Sequence, residues 1–117
     1  MVTRLKILVV EDSPVVLKVL KHLLLQNPTF IPVLCDCYKE AESKLNNPEE
    51  EFFAAIVDLN LPDAENGEIV DLVLSYKVPC VVLTGNIDDS LRLSLLNKGV
   101  LDYIIRDSRY SFNHVIK

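Results

Sequence analysis

Runs of apolar residues that stop abruptly at charged or reactive side chains recur along this chain. Leu5 to Val10 stops at Glu11-Asp12-Ser13, and Phe52 to Val57 stops at Asp58-Leu59-Asn60-Leu61-Pro62. Val78 to Leu83 stops at Thr84-Gly85, and a short run, Tyr103 to Ile105, stops at Arg106. If these runs are parallel strands, their carboxyl ends share one edge of one sheet, where open α/β sheets bind their ligands. Three carboxylates, a hydroxyl and a cation then converge on one crevice. That donor set suits a divalent cation and a phosphoryl group.

Between these runs the apolar spacing turns helical. After Ser13, a natural N-cap with Pro14 at the first helical position, Val16, Val19, Leu20, Leu23 and Leu24 form the i, i+3, i+4, i+7, i+8 stripe of a helix with one buried face. Asn27-Pro28 ends it. Phe30 to Cys35 reads as the next strand, and Pro32, lacking an N–H, puts that strand at a sheet edge. Tyr38, Ala41, Glu42 and Leu45 predict a second helix, closed by Asn46-Asn47-Pro48, with Glu49-Glu50-Glu51 as a solvated loop. Pro62 to Gly67 is turn-rich, and Glu68 to Tyr76 predicts a third helix with Ile69, Val70, Val73 and Leu74 inward. Asp88 or Asp89 caps a fourth helix carrying Leu91, Leu95 and Leu96, with Gly99 at its C′ position, and a last helix starts near Tyr110. Strands alternating with helices of this length mean βαβ units. The expected fold is α/β: a doubly wound, five-stranded parallel sheet of order 2-1-3-4-5, with Glu11, Asp12 and Asp58 emerging at the switch point between strands one and three.

At 117 residues the chain is expected to form a single domain. A net charge of −5, with no basic patch, argues against direct nucleic-acid binding. No apolar stretch approaches the roughly 18 residues that a membrane helix needs. Met1 to Arg4 leads straight into the first strand, so no signal peptide is expected. Cys35, Cys37 and Cys80 lack metal-ligand or C-x-x-C spacing and read as reduced thiols, so a cytoplasmic protein is expected.

Taken singly, these motifs have plain explanations. Glu11-Asp12 would be an acidic pair favoured by a helix N-terminus, Asp58 a turn residue, Thr84 a strand-end threonine and Tyr103 a half-buried aromatic. His22 and His114 read as surface residues. Together, Val9-Val10-Glu11-Asp12-Ser13, Asp58-Leu59-Asn60-Leu61-Pro62 with Gly67, Leu83-Thr84-Gly85, and Gly99 with Asp102-Tyr103 resemble the receiver domain of bacterial two-component response regulators, the chemotaxis-type, flavodoxin-like fold. The likeness spans essentially the whole chain. It implies that Asp58 accepts a phosphoryl group from a sensor histidine kinase or phosphotransfer protein. It also implies Mg²⁺ (or Mn²⁺) held by Asp12, Asp58 and the Asn60 backbone carbonyl, with Glu11 on a bound water or on the metal. Thr84 then contacts the phosphoryl group, and Tyr103 rotates with it to reshape the face of helix four, strand five and helix five, where a homodimer could form. Such a domain is a signalling switch, an enzyme only in self-phosphorylation and autodephosphorylation. Asn60 and Asn86, polar residues two beyond Asp58 and Thr84, suggest a phosphoryl group that lasts minutes.

The chain departs from the receiver pattern at one point. Lysine then proline normally close strand five, and here Arg106 and Asp107 stand in their place. Arginine keeps the charge but is longer and planar, and Asp107 can draw it away from phosphate. This motivates an alternative, an atypical receiver acting as a phosphorylation-independent interaction or dimerisation module. Ser111 to Lys117 gives a short final helix, which suggests an N-terminal fragment of a longer regulator with a C-terminal output domain; Asp102 to Ser108 resembles receivers fused to diguanylate cyclases. A haloacid-type phosphatase would need a second acid where Asn60 stands, and a flavin binder a phosphate loop where Glu11-Asp12 would repel phosphate.

Overall fold

The computed structural model describes residues 4–85 and 89–105. Asn86, Asp88, Arg106, Asp107, His114 and the helix expected from Tyr110 lie outside the described residues. In chain order the elements are β1 (Leu5–Val10), α1 (Pro14–Leu25), β2 (Phe30–Cys35), α2 (Tyr38–Leu45), β3 (Ala54–Asp58), α3 (Glu68–Ser75), β4 (Cys80–Thr84), α4 (Asp89–Lys98) and β5 (Asp102–Ile105). The strands form one sheet of order β2-β1-β3-β4-β5, and every neighbouring pair is parallel. The expected topology and the edge position of the Pro32 strand are both found.

Alternation along the strands divides the core between the two faces of the sheet. Ile7, Val9, Ile56 and Leu83 pack with Leu20 and Leu24 of α1. Leu8, Val10, Ala55, Val57, Cys80 and Val82 pack with Ala41 and Leu45 of α2, Ile69, Val70 and Val73 of α3, and Leu95 of α4. Because both faces are covered, β3, β4 and the Ile7 to Val10 stretch of β1 read as apolar runs in the sequence. Leu20 is fully buried, and truncating such a leucine to alanine costs about 2–5 kcal/mol.

Helix ends follow local chemistry. Ser13 caps α1, its Oγ accepting from the Val16 N–H at 3.3 Å, with Pro14 in the first turn. Gly99, with φ of 91°, closes α4: its N–H bonds Leu96 O at 3.1 Å and the Val100 N–H bonds Leu95 O at 3.3 Å, a Schellman motif. The same paired bonds close α3, from Lys77 N to Leu74 O and from Val78 N to Val73 O, but here the left-handed residue is Lys77, at φ 60°. Nothing in the sequence pointed to a lysine in that conformation.

Two strands begin later than the apolar runs suggested. In β4, Val78 is taken up by the end of α3 and Pro79 has no N–H, so the strand starts at Cys80 and runs on to Thr84. In β3, Phe52 and Phe53 precede the strand and Phe53 is 54% exposed, while the ladder extends to include Asp58. Val19 and Leu96, expected inward, are 39% and 50% exposed. Leu17 takes up packing against the α1 face, and Leu91 and Leu95 serve α4.

Candidate functional site

The ladder registers explain why the acids meet. Val10 is level with Val57 across β1 and β3, so the next residues, Glu11 and Asp58, leave the sheet side by side. Glu11 N–H continues the ladder by bonding Cys35 O at 3.0 Å, which holds the start of the β1–α1 loop against β2. Carboxylate oxygens of Glu11, Asp12 and Asp58 lie within 4.8 Å of one another. Glu11 and Asp58 are buried, at 0% and 1% exposure, and Asp12 is exposed at the rim. Glu11 Oε2 accepts from the Ser13 N–H at 3.1 Å, and Asp58 Oδ1 from the Asn60 N–H at 3.1 Å. Each bond fixes the loop that follows its strand.

Two like charges at such a distance repel by about 3–4 kcal/mol at an effective dielectric of 20. The cluster answers with a proton. Burial first, and contact with Asp58 second, push the Glu11 carboxyl up from 4.5 to about 8, against the Ser13 N–H, which favours the charged form. A divalent cation would relieve the same crowding. Hard oxygen donors gathered from two adjacent strand ends, one of them exposed for entry, fit Mg²⁺ or Mn²⁺. Glu11, Asp12 and Asp58 are the residues that could hold it; the Asn60 carbonyl, two residues beyond Asp58 in the same loop, is the backbone donor that the resemblance implies.

Thr84 closes β4 and is buried at 2% exposure; Asp58 pairs with Leu83, so Thr84 stands one residue further along the same edge. Beside it opens a cavity of about 350 Å³, lined by Leu59, Asn60, Gly67, Thr84, Leu95 and Lys98. Tyr103 is half-buried and packs against the cluster beneath α3 and α4. It pairs with Val82, which places Tyr103 and Thr84 on the same face of the sheet. Glu11, Asp12 and Asp58 thus come together, with the Asn60 N–H on Asp58, Thr84 at the same edge and Tyr103 behind it; Arg106 lies outside the described residues. His22 is exposed, away from the cluster.

One residue at this edge escaped the sequence reading. Asp63, in the β3–α3 loop, accepts from the Tyr38 N–H at 2.8 Å and the Lys39 N–H at 3.1 Å, capping α2 from a distant part of the chain. These bonds, the Tyr38 amide first, hold its carboxyl below the ordinary carboxylate range. The available signal was weak: Cys37, at the cap position, is a poor capping residue and makes no side-chain cap bond.

A doubly wound parallel sheet of this order, with an acidic trio at the carboxyl edge and a buried threonine beside it, defines a receiver-type signalling domain. The chain belongs to the response regulator receiver domain family, whose family model matches residues 7–111. Among curated relatives, the two-component response regulator ORR21 of Oryza sativa subsp. indica is 27% identical over 119 residues, covering 97% of this chain but 17% of the relative. This chain therefore spans about a sixth of that relative's length, and these plant relatives leave the bacterial association of the motifs unsupported. A solved structure described as a two-component system response regulator/GGDEF domain protein superposes with a TM-score of 0.86 at 35% identity, covering 97% of this chain and 45% of that one. The chemotaxis response regulator CheY4 of Vibrio cholerae shares the fold, with a TM-score of 0.80 at 22% identity and 97% coverage of both chains. No helix among the described residues is long and apolar enough to cross a membrane.

Proposed function

We propose that this receiver domain accepts a phosphoryl group on Asp58 from a phosphohistidine of a sensor histidine kinase or phosphotransfer protein. The observation that carries the reading is the convergence of Glu11, Asp12 and Asp58 within 4.8 Å at the carboxyl edge of the sheet. Bound Mg²⁺ or Mn²⁺ would neutralise the acids and polarise the phosphoryl oxygens. An Asp58 carboxylate oxygen attacks phosphorus in line; the P–N bond to the donor imidazole breaks, and the leaving nitrogen keeps the bonding pair and is protonated from solvent. The Asn60 N–H on Oδ1 orients the Asp58 carboxylate for that attack. Thr84 Oγ1 donates to a phosphoryl oxygen, and Arg106 supplies positive charge in place of lysine. Movement of Thr84 lets Tyr103, on the same sheet face, repack and alter the surface of α4, β5 and the helix expected after it.

The same reading makes Asn60 and Asn86 the residues that orient hydrolytic water, giving a phosphoryl lifetime of minutes. The GGDEF domain of the neighbour described above supports a diguanylate-cyclase-type output domain as one architecture for the full regulator. Cytoplasmic location and homodimer formation through the α4–β5 face complete the proposal.

Intact mass after incubation with Mg²⁺ and acetyl phosphate, beside an Asp58→Asn control, tests it. One added phosphoryl group, absent from the control, is the expected result. No adduct on a folded protein would favour the second reading, motivated by Arg106-Asp107, of a phosphorylation-independent interaction module.

A further inference from the structure

We propose that Asp63 is a positioning residue for the metal and phosphoryl site, locking the loop that carries Asn60 against the N-terminus of α2. The inference rests on the reading that Glu11, Asp12, Asp58 and the Asn60 carbonyl hold a divalent cation. The loop after Asp58 is fixed at several points. At its start the Asn60 N–H bonds Asp58 Oδ1 at 3.1 Å. Further on, Leu61 and Ala64 exchange backbone bonds of 3.3 and 3.1 Å, a tight turn that presents Asp63 outward. The Asp63 carboxylate then forks onto the Tyr38 and Lys39 amides at 2.8 and 3.1 Å, the first two N–H groups of α2.

This is the cap that α2 lacks locally, since Cys37 makes no side-chain cap bond. A carboxylate at a helix N-terminus satisfies orphan amides and sits at the favourable end of the macrodipole. Here the partner comes from the loop of the candidate metal site, so one contact serves two elements. Releasing it frees Leu61 to Asp63 to move, and the Asn60 carbonyl with them. A ligand held in place by its supporting bonds gives up less entropy when the cation arrives. By thermodynamic reciprocity, the cation must then strengthen the Asp63 cap by the same factor that the cap strengthens the cation.

Mg²⁺ titration calorimetry on the wild type, Asp63→Asn, Asp63→Ala and Leu45→Ala is the test, with amide exchange of Tyr38 and Lys39 measured with and without Mg²⁺. Leu45, buried at the far end of α2, controls for general destabilisation. Asp63→Ala is expected to weaken Mg²⁺ binding by about 3- to 10-fold. Asp63→Asn, which keeps one acceptor oxygen, should fall between, and Leu45→Ala should leave affinity unchanged. In the wild type, Mg²⁺ should slow exchange at Tyr38 and Lys39. Wild-type affinity in folded Asp63→Ala, or equal losses in Asp63→Ala and Leu45→Ala, would overturn the positioning role while leaving the metal site standing. A wild type that does not bind Mg²⁺ overturns both.

Discussion

Gly67 leans on Leu59 across the mouth of the β3–α3 loop: its N–H bonds the Leu59 carbonyl at 3.2 Å, its φ is +75°, and a Cβ there would meet Leu59 Cδ2 at 3.1 Å. The loop folds back on the end of β3 with little room for a side chain at this position. Two penalties therefore attach to Gly67→Ala, a left-handed backbone and a contact that Leu59 must yield to. Together they should cost about 1–3 kcal/mol, visible in urea unfolding as a lower midpoint at unchanged m-value.

Lys77 presents the opposite case. It sits at φ 60° where α3 closes, a conformation that glycine adopts at no steric cost. Lys77→Gly should therefore stabilise the protein by about 0.5–1 kcal/mol despite the added freedom of the unfolded chain. A thermal midpoint that drops in this variant would show that the Lys77 side chain contributes more than its backbone strain.

Glu11 sets the pH response of the metal-free protein. Its pKa is raised on folding from 4.5 to about 8, so the folded state holds a proton that the unfolded chain releases. The resulting stability is fully present below about 4.5 and is lost as pH rises through about 8. Where one whole proton separates the two states, the slope approaches about 1.4 kcal/mol per pH unit. Glu11→Gln should flatten that slope in chelator-treated protein. Mg²⁺ affinity should move the other way and grow with pH over the same window, because binding displaces the proton; stability curves at several pH values, with EDTA and with Mg²⁺, check both.

Relief of the same crowding predicts that Asp58→Asn is more stable than the wild type without metal, by about 1–3 kcal/mol at slightly alkaline pH. Added Mg²⁺ should erase or reverse the difference, since it stabilises only a site that binds it. Paired thermal melts with EDTA and with Mg²⁺ measure this directly. A variant less stable than the wild type in EDTA would mean that the extra strength of the Asn60 N–H bond to a charged carboxylate, weakened but not lost in asparagine, outweighs the repulsion.

Most of the architecture was legible in the residues because it is written in short-range patterns. The run from Leu5 to Val10, the Ser13-Pro14 start of α1, the edge signal of Pro32 and Gly99 after α4 each act within a turn or a strand. The acidic trio was legible for a different reason: residues that follow buried parallel strands must surface at one edge, so Glu11 and Asp58 could be brought together before any register was known. Strand starts were harder, since Phe52, Phe53 and Val78 are apolar for reasons other than pairing. Asp63 on Tyr38 and the left-handed Lys77 were out of reach, one because the cap lies on another loop, the other because lysine carries no sign of that conformation.

The sheet order carries a consequence for how the protein is made. β1 pairs with β3, and Glu11 and Asp58 meet only through that pairing, with all of α1, β2 and α2 lying between them in the chain. Such long-range parallel contacts are intrinsically slow to form, because loop closure must be completed before they reward it. A chain in which that pairing has not formed carries Asp58 away from Glu11 and Asp12. If Asp58 accepts a phosphoryl group as proposed, that capacity belongs to the finished sheet alone, because the acidic trio exists only there.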